Sequence, residues 1–466
     1  MTASKQATQT ITADYLVIGA GGMGMAFTDS ILSETSATVA IVDRYHQPGG
    51  HWNTAYPFVR LHQPSAFYGV NSRPLGSDAL DATGWNQGLY ELATNGEVCA
   101  YFDAVMQQQF LPSGRVQYFP MCDYMDYIDG GRVISRVSGA EFEVSAGKIV
   151  DATYMKVTVP SMRPPDYEVE SGVACRPLND LPKMACQCSQ FMIIGAGKTA
   201  MDACLFLLGN GLDPDRVSWV MPRDSWLLNR AKIQPGKLFS DVVVKSFAGQ
   251  MQAMAQAETL EDLFAGVMAT GHLLRFDDDV RPTMYRCATV TEAELEQLQR
   301  IGNIIRLGRV KRLARDRIEL EGGEISARPD TLYVDCTADG LANRPVAPIF
   351  GKGKLTLQSV RTCQQVFSAA FIGHVETSYD DMDLQNELCT PVPHPNSDID
   401  YLRTSLLNLT NAHRWGRDPE LKAWLHNARL DGFTRPESLE NARGLPEDLV
   451  RQVTGNLKRL IAGDEA

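Results

Sequence analysis

The sequence predicts an α/β protein made of two Rossmann-like nucleotide folds, the second inserted in the first, with a helical C-terminal section. Three observations predict it. Tyr15-Leu16-Val17-Ile18 runs straight into Gly19-Ala20-Gly21-Gly22-Met23-Gly24, and Thr38 to Val42 is a second β-branched run closed by Asp43. The same order recurs at Phe191 to Ile194, Gly195-Ala196-Gly197-Lys198-Thr199-Ala200 and Val217 to Met221. The chain has 466 residues, long for one hydrophobic core, so two or three domains are expected.

The first stretch is a G-x-G-x-x-G fingerprint in the strand–turn–helix–strand context that gives the motif meaning. Gly19 permits the tight turn, Gly21 lets backbone approach a pyrophosphate, and Gly24 lets helix and strand pack closely. Gly22 lies in the same turn. The pyrophosphate is expected at the positive helix N-terminus, and Asp43 is placed to accept hydrogen bonds from ribose hydroxyls. Arg44 and the segment Gly49-Gly50-His51-Trp52 follow. A glycine pair before aromatic residues lets backbone pass close to a flat ring, or simply forms a Pro-Gly turn. Tyr56 to Pro64 and onward to Pro74 is too apolar for a free linker and fits a buried cover over a cofactor. Tyr90 to Phe110 reads as a helix. Arg115 to Phe119, Arg132 to Val137 and Glu141 to Val144 alternate like a small antiparallel sheet.

Lys148 to Thr153 reads as a returning strand, and Pro160, Pro164 and Pro165 mark a linker. Beyond it the second motif is G-x-G-x-x-A, an accepted variant. At the end of its second strand, Arg223 stands where the first fold has an acid. An acid there binds a free 2′-hydroxyl, whereas an arginine accommodates a 2′-phosphate. Arg223 therefore favours NADP(H), with Arg230 as a helper, unless Arg223 is a solvated surface residue. Gly197-Lys198-Thr199 ends like a P-loop, but Met192 stands where that motif needs its first glycine. Leu238 to Leu274 is Met-rich and helical, a pattern more common in cores than in substrate pockets. Tyr333 to Gly340 echoes Ile149 to Thr153, as if the chain re-enters the first domain there.

Composition narrows the classes. The net charge is −12 with no basic block, which argues against a nucleic-acid partner. No run of about 18 apolar residues suggests a membrane span. Met1 to Thr12 is polar, so a signal peptide is not expected and the location expected is cytoplasmic. The ten cysteines are scattered, without C-x-x-C pairs. Reduced, mostly buried thiols are expected, with no metal site and no dithiol reductase motif.

These residues resemble the class B flavoprotein monooxygenases, which carry two dinucleotide-binding domains. The resemblance runs from Tyr15 to about Gly373. It implies an FAD site at Gly19, Gly21, Gly22, Gly24, Asp43, Arg44, Gly50, His51 and Trp52. It implies an NADPH site at Gly195, Gly197, Lys198, Thr199, Ala200 and Arg223. Ala152-Thr153 and Cys336-Thr337-Ala338 sit where the family has two A-T-G-like strand ends. Of the family's F-x-G-x-x-x-H segment, Val169 to Arg176 keeps only the glycine. The domains expected are a tail at 1–12, a discontinuous FAD domain at 13–165 and 325–466, and an NADPH domain at 185–324 with a helical insertion at 235–275. The activity implied is oxygenation of a small molecule by O2 through a flavin C4a-hydroperoxide. The alternatives are an FAD-dependent dehydrogenase or reductase and a non-catalytic FAD-fold protein. His51, His62, Gln63 and His374 are the candidate catalytic residues, with Glu376 nearby in sequence. For each, a structural hydrogen bond in a packed loop is the alternative. A homo-oligomer is possible.

Overall fold

The computed structural model describes residues 9–127, 130–338, 340–342, 344–432 and 446–464. The first nucleotide fold opens with strand β1 (Gln9–Ile18), helix α1 (Gly22–Glu34) and strand β2 (Val39–Val42). Strands β3 (Val116–Phe119) and β4 (Glu141–Asp151) complete its central layer. β1 lies between β2 and β4, and β3 pairs with β2, all in parallel. Of the expected tail, residues 1–8 lie outside the described residues, and β1 already starts at Gln9.

The second fold contains β5 (Cys175–Pro177), β6 (Gln190–Ile194), helix α2 (Lys198–Gly209) and β7 (Val217–Val220). Strand β8 (Ser225–Asn229), helices α3 (Ser240–Gln256) and α4 (Leu260–Ala269), and β9 (Met284–Val290) form its side layer. The fold closes with β10 (Asn303–Ile305) and β11 (Thr331–Asp335). Its parallel sheet has the order β10-β7-β6-β11-β5. Parallel strands covered by helices on both faces read as near-continuous apolar runs, and β7 and β11 are buried at every position.

The second fold is wider than the 185–324 expected, since Cys175–Pro177 already pairs in its sheet. Thr331–Asp335 does not re-enter the first domain, because it pairs with β6 and β5 of the second sheet. The chain returns to the first sheet at β12 (Lys354–Thr356), which pairs with β4. Helix α5 (Gln365–Ser378) then packs on α1, followed by α6 (Asp398–Arg417), α7 (Pro419–Asn427) and α8 (Glu447–Asp464). The last helix leaves the first fold again. Asn456 Nδ2 donates to the carbonyls of Met254 and Ala257, and Val453 and Leu457 share a core with Met251, Met254 and Phe264. The methionines of the insertion are thus core residues.

Candidate nucleotide sites and the loop between them

Each glycine turn does what its position requires. Gly19 has φ +103° and Gly195 φ +127°, conformations that a side chain rarely adopts. A methyl on Gly24 would sit 1.9 Å from the Gly19 carbonyl oxygen, so α1 packs directly on its own turn. Each turn is backed by an Asp-x-Thr corner. Asp151 Oδ1 accepts from Thr153 N and Oγ1 at 2.9 and 2.7 Å, and Asp335 Oδ1 accepts from Thr337 N and Oγ1 at 3.2 and 2.7 Å. This shared corner explains why the end of β11 looked like a return to the first domain. It belongs to an internal structural echo.

The helix ends carry the strongest electrostatic sign. Four helices, those starting at Asn95, Leu260, Glu292 and Asp398, have capping boxes with an acid in the first turn. Helices α1, α2 and α5 have neither a side-chain cap nor a first-turn acid. Their N-terminal N–H groups and positive dipole ends are left to attract an anion. α1 and α5 present these ends side by side, since a methyl on Gly22 would lie 3.0 Å from Val366 Cγ1.

Around the N-terminus of α1, a methyl on Gly22 would also lie 2.9 Å from Tyr68 Oη. That hydroxyl accepts from Trp52 Nε1 at 2.8 Å, and burial lifts its pKa to about 12, so it keeps its own proton to donate. The close approach at Gly21 is to Gly50, whose φ is +58°. Asp43 accepts from Ala20 N at 2.5 Å and Tyr45 N at 2.7 Å. Burial pushes its carboxyl up, against the pull of those two N–H groups. Arg44 turns outward to Asp123 at 3.4 Å.

At the second site Lys198 is the first residue of α2 and pairs with Asp202, both nearly buried. Tyr56 Oη donates to the other carboxylate oxygen of Asp202 at 2.6 Å, with Thr199 beside it. A methyl on Gly197 would meet no atom of the described residues within 4 Å. Ala200 is buried. Arg223 Nη2 donates to the carbonyls of Thr283 and Asn396, at 2.9 and 2.7 Å. Burial and the charges of Arg286 and Arg309 lower its pKa, so three cations converge at the end of β7. Arg230 is not among them. It is 1% exposed and is held by His62 O, Asn86 Oδ1, Thr289 O and Glu294.

The segment 49–68 spans both sites. Gly49 N donates to Ala20 O in the first fold at 2.9 Å, while Tyr56 reaches Asp202 and Phe58 stacks on Phe206 at 4.1 Å in the second. His51 sits against Trp52 with ring centroids 5.3 Å apart, and burial lowers its pKa to about 4. His62 lies beside Lys198 and is held well below its usual pKa by burial, then by the Lys198 and Arg230 charges. Gln63 follows it, half-buried. His374 is elsewhere. Its Nδ1 lies 2.8 Å from Glu34 Oε2 and its ring stacks on Trp424. Glu34 ends α1, about 18 Å along the helix axis from Gly22 at 1.5 Å per residue. Glu376 is likewise structural, accepting from Tyr15 Oη at 2.9 Å and pairing with Lys148.

Sequence reasoning missed Tyr56, Tyr68 and Asp202. Asp202 lies four residues after Lys198, a spacing that puts both on one helix face and could have flagged the pair. It also missed the Cys287–Cys363 disulfide, against the expectation of reduced thiols. Among the described residues, no helix is long and apolar enough to cross a membrane.

No family model matches the chain. Among solved structures, the open form of a cyclohexanone monooxygenase is similar at 14% identity and TM-score 0.49, over 98% of both chains. A flavin monooxygenase variant from Stenotrophomonas maltophilia follows at 13% and 0.46, over 81% of this chain and 99% of that one. A bacillithiol disulfide reductase from Bacillus cereus stands at 12% and 0.45, over 79% and 100%. Uncharacterized proteins of Mycobacterium bovis and Mycobacterium tuberculosis are 54% identical over 424 residues, 91% of this chain and 78% of theirs. The chain belongs to the family of these mycobacterial proteins.

Proposed function

We propose that the protein is an FAD- and NADPH-dependent oxidoreductase, a monooxygenase acting on a small molecule with O2. One observation carries this reading: a single loop, 49–68, closes on the uncapped helix N-termini of two nucleotide folds at once. Dinucleotides held at those two ends would share this loop as a common wall.

The residues fit the groups. The first site offers α1 and α5 N–H groups and the Tyr68 hydroxyl proton to a pyrophosphate, and the remaining lone pairs of Asp43 to ribose hydroxyls. The second offers the N-terminus of α2, with Lys198 for the coenzyme pyrophosphate and Arg223 for its 2′-phosphate. Bound flavin would supply hydride acceptance and oxygen activation. The protein's part is placement and dryness. Burial holds His51 and His62 below the usual histidine pKa, so near pH 7 each would offer a hydrogen bond to a ligand without adding charge. Gln63 is suited to orienting an amine, sulfur or carbonyl substrate. The alternative is a flavin-dependent reductase that hands electrons to another acceptor.

The test is anaerobic mixing with NADPH, then addition of O2 with candidate substrates. The proposal expects the flavin to bleach with NADPH, and oxygenated product to appear only when O2 is added. Undiminished turnover without O2, given another electron acceptor, would replace the monooxygenase reading with the reductase one. Absence of any flavin in the purified protein would sink both.

A further inference from the structure

Cys287 and Cys363 are 76 positions apart in sequence, with Cα atoms 6.7 Å apart, and are joined by a disulfide. Both ends are prepared by the backbone. On β9, Trp226 faces Tyr285 and Leu228 faces Thr289, so Leu227 alone stands opposite residues 286–288. Such a bulge re-aims a side chain out of the ladder. Cys287 sits in the middle of it with φ +56°. Cys363 has φ +58° and immediately precedes Gln364, the N-cap of α5. Non-glycine residues seldom take this left-handed conformation, and they keep it where surrounding structure imposes it. Here two cysteines take it and face each other.

What the bridge joins gives it a role. Cys287 follows Arg286, whose charge acts on Arg223 at the end of β7. Three residues after Cys363, Val366 closes on Gly22 in the first nucleotide turn. The bond therefore ties the side layer of the second fold to the α5 end of the first. Among the described residues the other eight cysteines are free, and burial raises the thiol pKa of Cys204, Cys336 and Cys389. Those three are inert by comparison.

We propose that Cys287–Cys363 is a reversible thiol–disulfide site that exchanges with low-molecular-weight thiols and disulfides, clamping the two nucleotide folds when oxidised and releasing them when reduced. Cys287 is 7% exposed, whereas Cys363 is only partly covered, so attack falls on Cys363. A small thiolate bonds to Cys363 Sγ, the protein S–S bond breaks, and Cys287 leaves as a thiolate that takes a proton. A second small thiolate attacks the mixed disulfide, leaves as the small-molecule disulfide, and Cys363 takes its proton. The protein gains two electrons and two protons, and the two small thiols become one disulfide.

The experiment equilibrates the full-length protein in buffers of reduced and oxidised glutathione, alkylates it, and reads each cysteine by mass spectrometry. It needs no bound nucleotide, so its failure would leave the flavoprotein reading standing. The expected result is one two-electron step in which Cys287 and Cys363 become alkylated together, while the buried Cys204, Cys336 and Cys389 stay unchanged. Limited proteolysis within residues 357–364, which join β12 to α5, should quicken at least tenfold in the reduced form. Cys287→Ser should leave Cys363 able to take up one glutathione, and Cys363→Ser should leave Cys287 unmodified. Two free thiols in excess oxidised glutathione would overturn the site. Equal proteolysis in both redox states would overturn the clamp, and a reversed glutathione pattern in the variants would overturn the order of attack.

Discussion

The two nucleotide folds share a strand, a glycine turn, an uncapped helix and an Asp-x-Thr corner, yet one is closed and the other open. In the first, Gly21 is covered by Gly50, Gly22 by Tyr68 and Val366, and Asp43 folds back onto the turn it serves. In the second, no atom of the described residues would meet a methyl on Gly197, and the end of β7 carries cations instead of an acid. A closed cradle suits a ligand that stays, and an open one suits a ligand that comes and goes. On the proposed reading, FAD is the resident and NADPH the visitor.

The largest expected effect breaks the comparison at its sixth motif position. Gly24→Ala would put a methyl 1.9 Å from a backbone oxygen that cannot swing away, so α1 must shift. Overpacking costs about 1–3 kcal/mol and occasionally more, and a clash with rigid backbone puts this change at the upper end. The reverse change at the matching place, Ala200→Gly, costs about 0.5–1 kcal/mol of helix entropy. Thermal melts and bound-flavin absorbance of the two variants measure the contrast. A Gly24→Ala protein with wild-type melting and flavin content would mean that the first turn is not closed in this way.

The glycine turns were legible because few other residues tolerate φ near +100°, and Asp43 was legible from its place after an apolar run. What stayed hidden depends on contacts that sequence spacing does not carry. An apolar strand ending in small residues reads alike in both sheets, so spacing alone does not tell that Thr331–Asp335 pairs in the second. Arg230 looked available because the carbonyls of His62 and Thr289 that hold it lie in other segments. His374 follows Gly373, which packs on α1, but the helix carries its ring toward Glu34 rather than toward the glycine turn. The cysteine pair depends on a bulge that no periodicity announces.

Asp43→Asn sharpens the first half of the contrast. It keeps the shape but turns one charged acceptor toward a backbone donor as an amide. Hydrogen bonds to charged groups are worth about 1.5–3 kcal/mol each, so flavin affinity should fall roughly ten- to hundredfold. The KM for NADPH, measured on flavin-reconstituted protein, should stay within about threefold. Equal losses at both sites would remove the distinction between them.

Arg223→Ala probes the other half. A charge-assisted contact to phosphate is also worth about 1.5–3 kcal/mol, so KM should rise roughly ten- to hundredfold for NADPH and much less for NADH. Because Arg223 also holds the Thr283 and Asn396 carbonyls, both coenzymes should lose a little. The ratio between them is the readout. An unchanged ratio would take the 2′-phosphate away from this residue.

The smallest effect lies on the loop between the folds, where each site has its own histidine. His51 is lowered from its ordinary value of 6.5 to about 4 by burial alone, whereas His62 also faces two cations. A histidine whose folded-state pKa is depressed contributes stability above its unfolded value, and that stability is lost as pH falls toward the folded one. For His51 the window runs from 6.5 down to about 4. His51→Gln keeps a neutral hydrogen-bonding group, so flavin should remain and turnover should fall less than about tenfold, the worth of one neutral hydrogen bond. The variant should also lose less apparent Tm than the wild type between pH 7.5 and 5, because one group that resists protonation is gone. Other buried histidines still titrate in both proteins, so the difference between the two slopes is the measure. His51→Arg would force a cation into the same place and should expel flavin. If Arg is tolerated as well as Gln, the His51 pocket is neither dry nor beside the cofactor, and the closed character of the first fold ends at Tyr68.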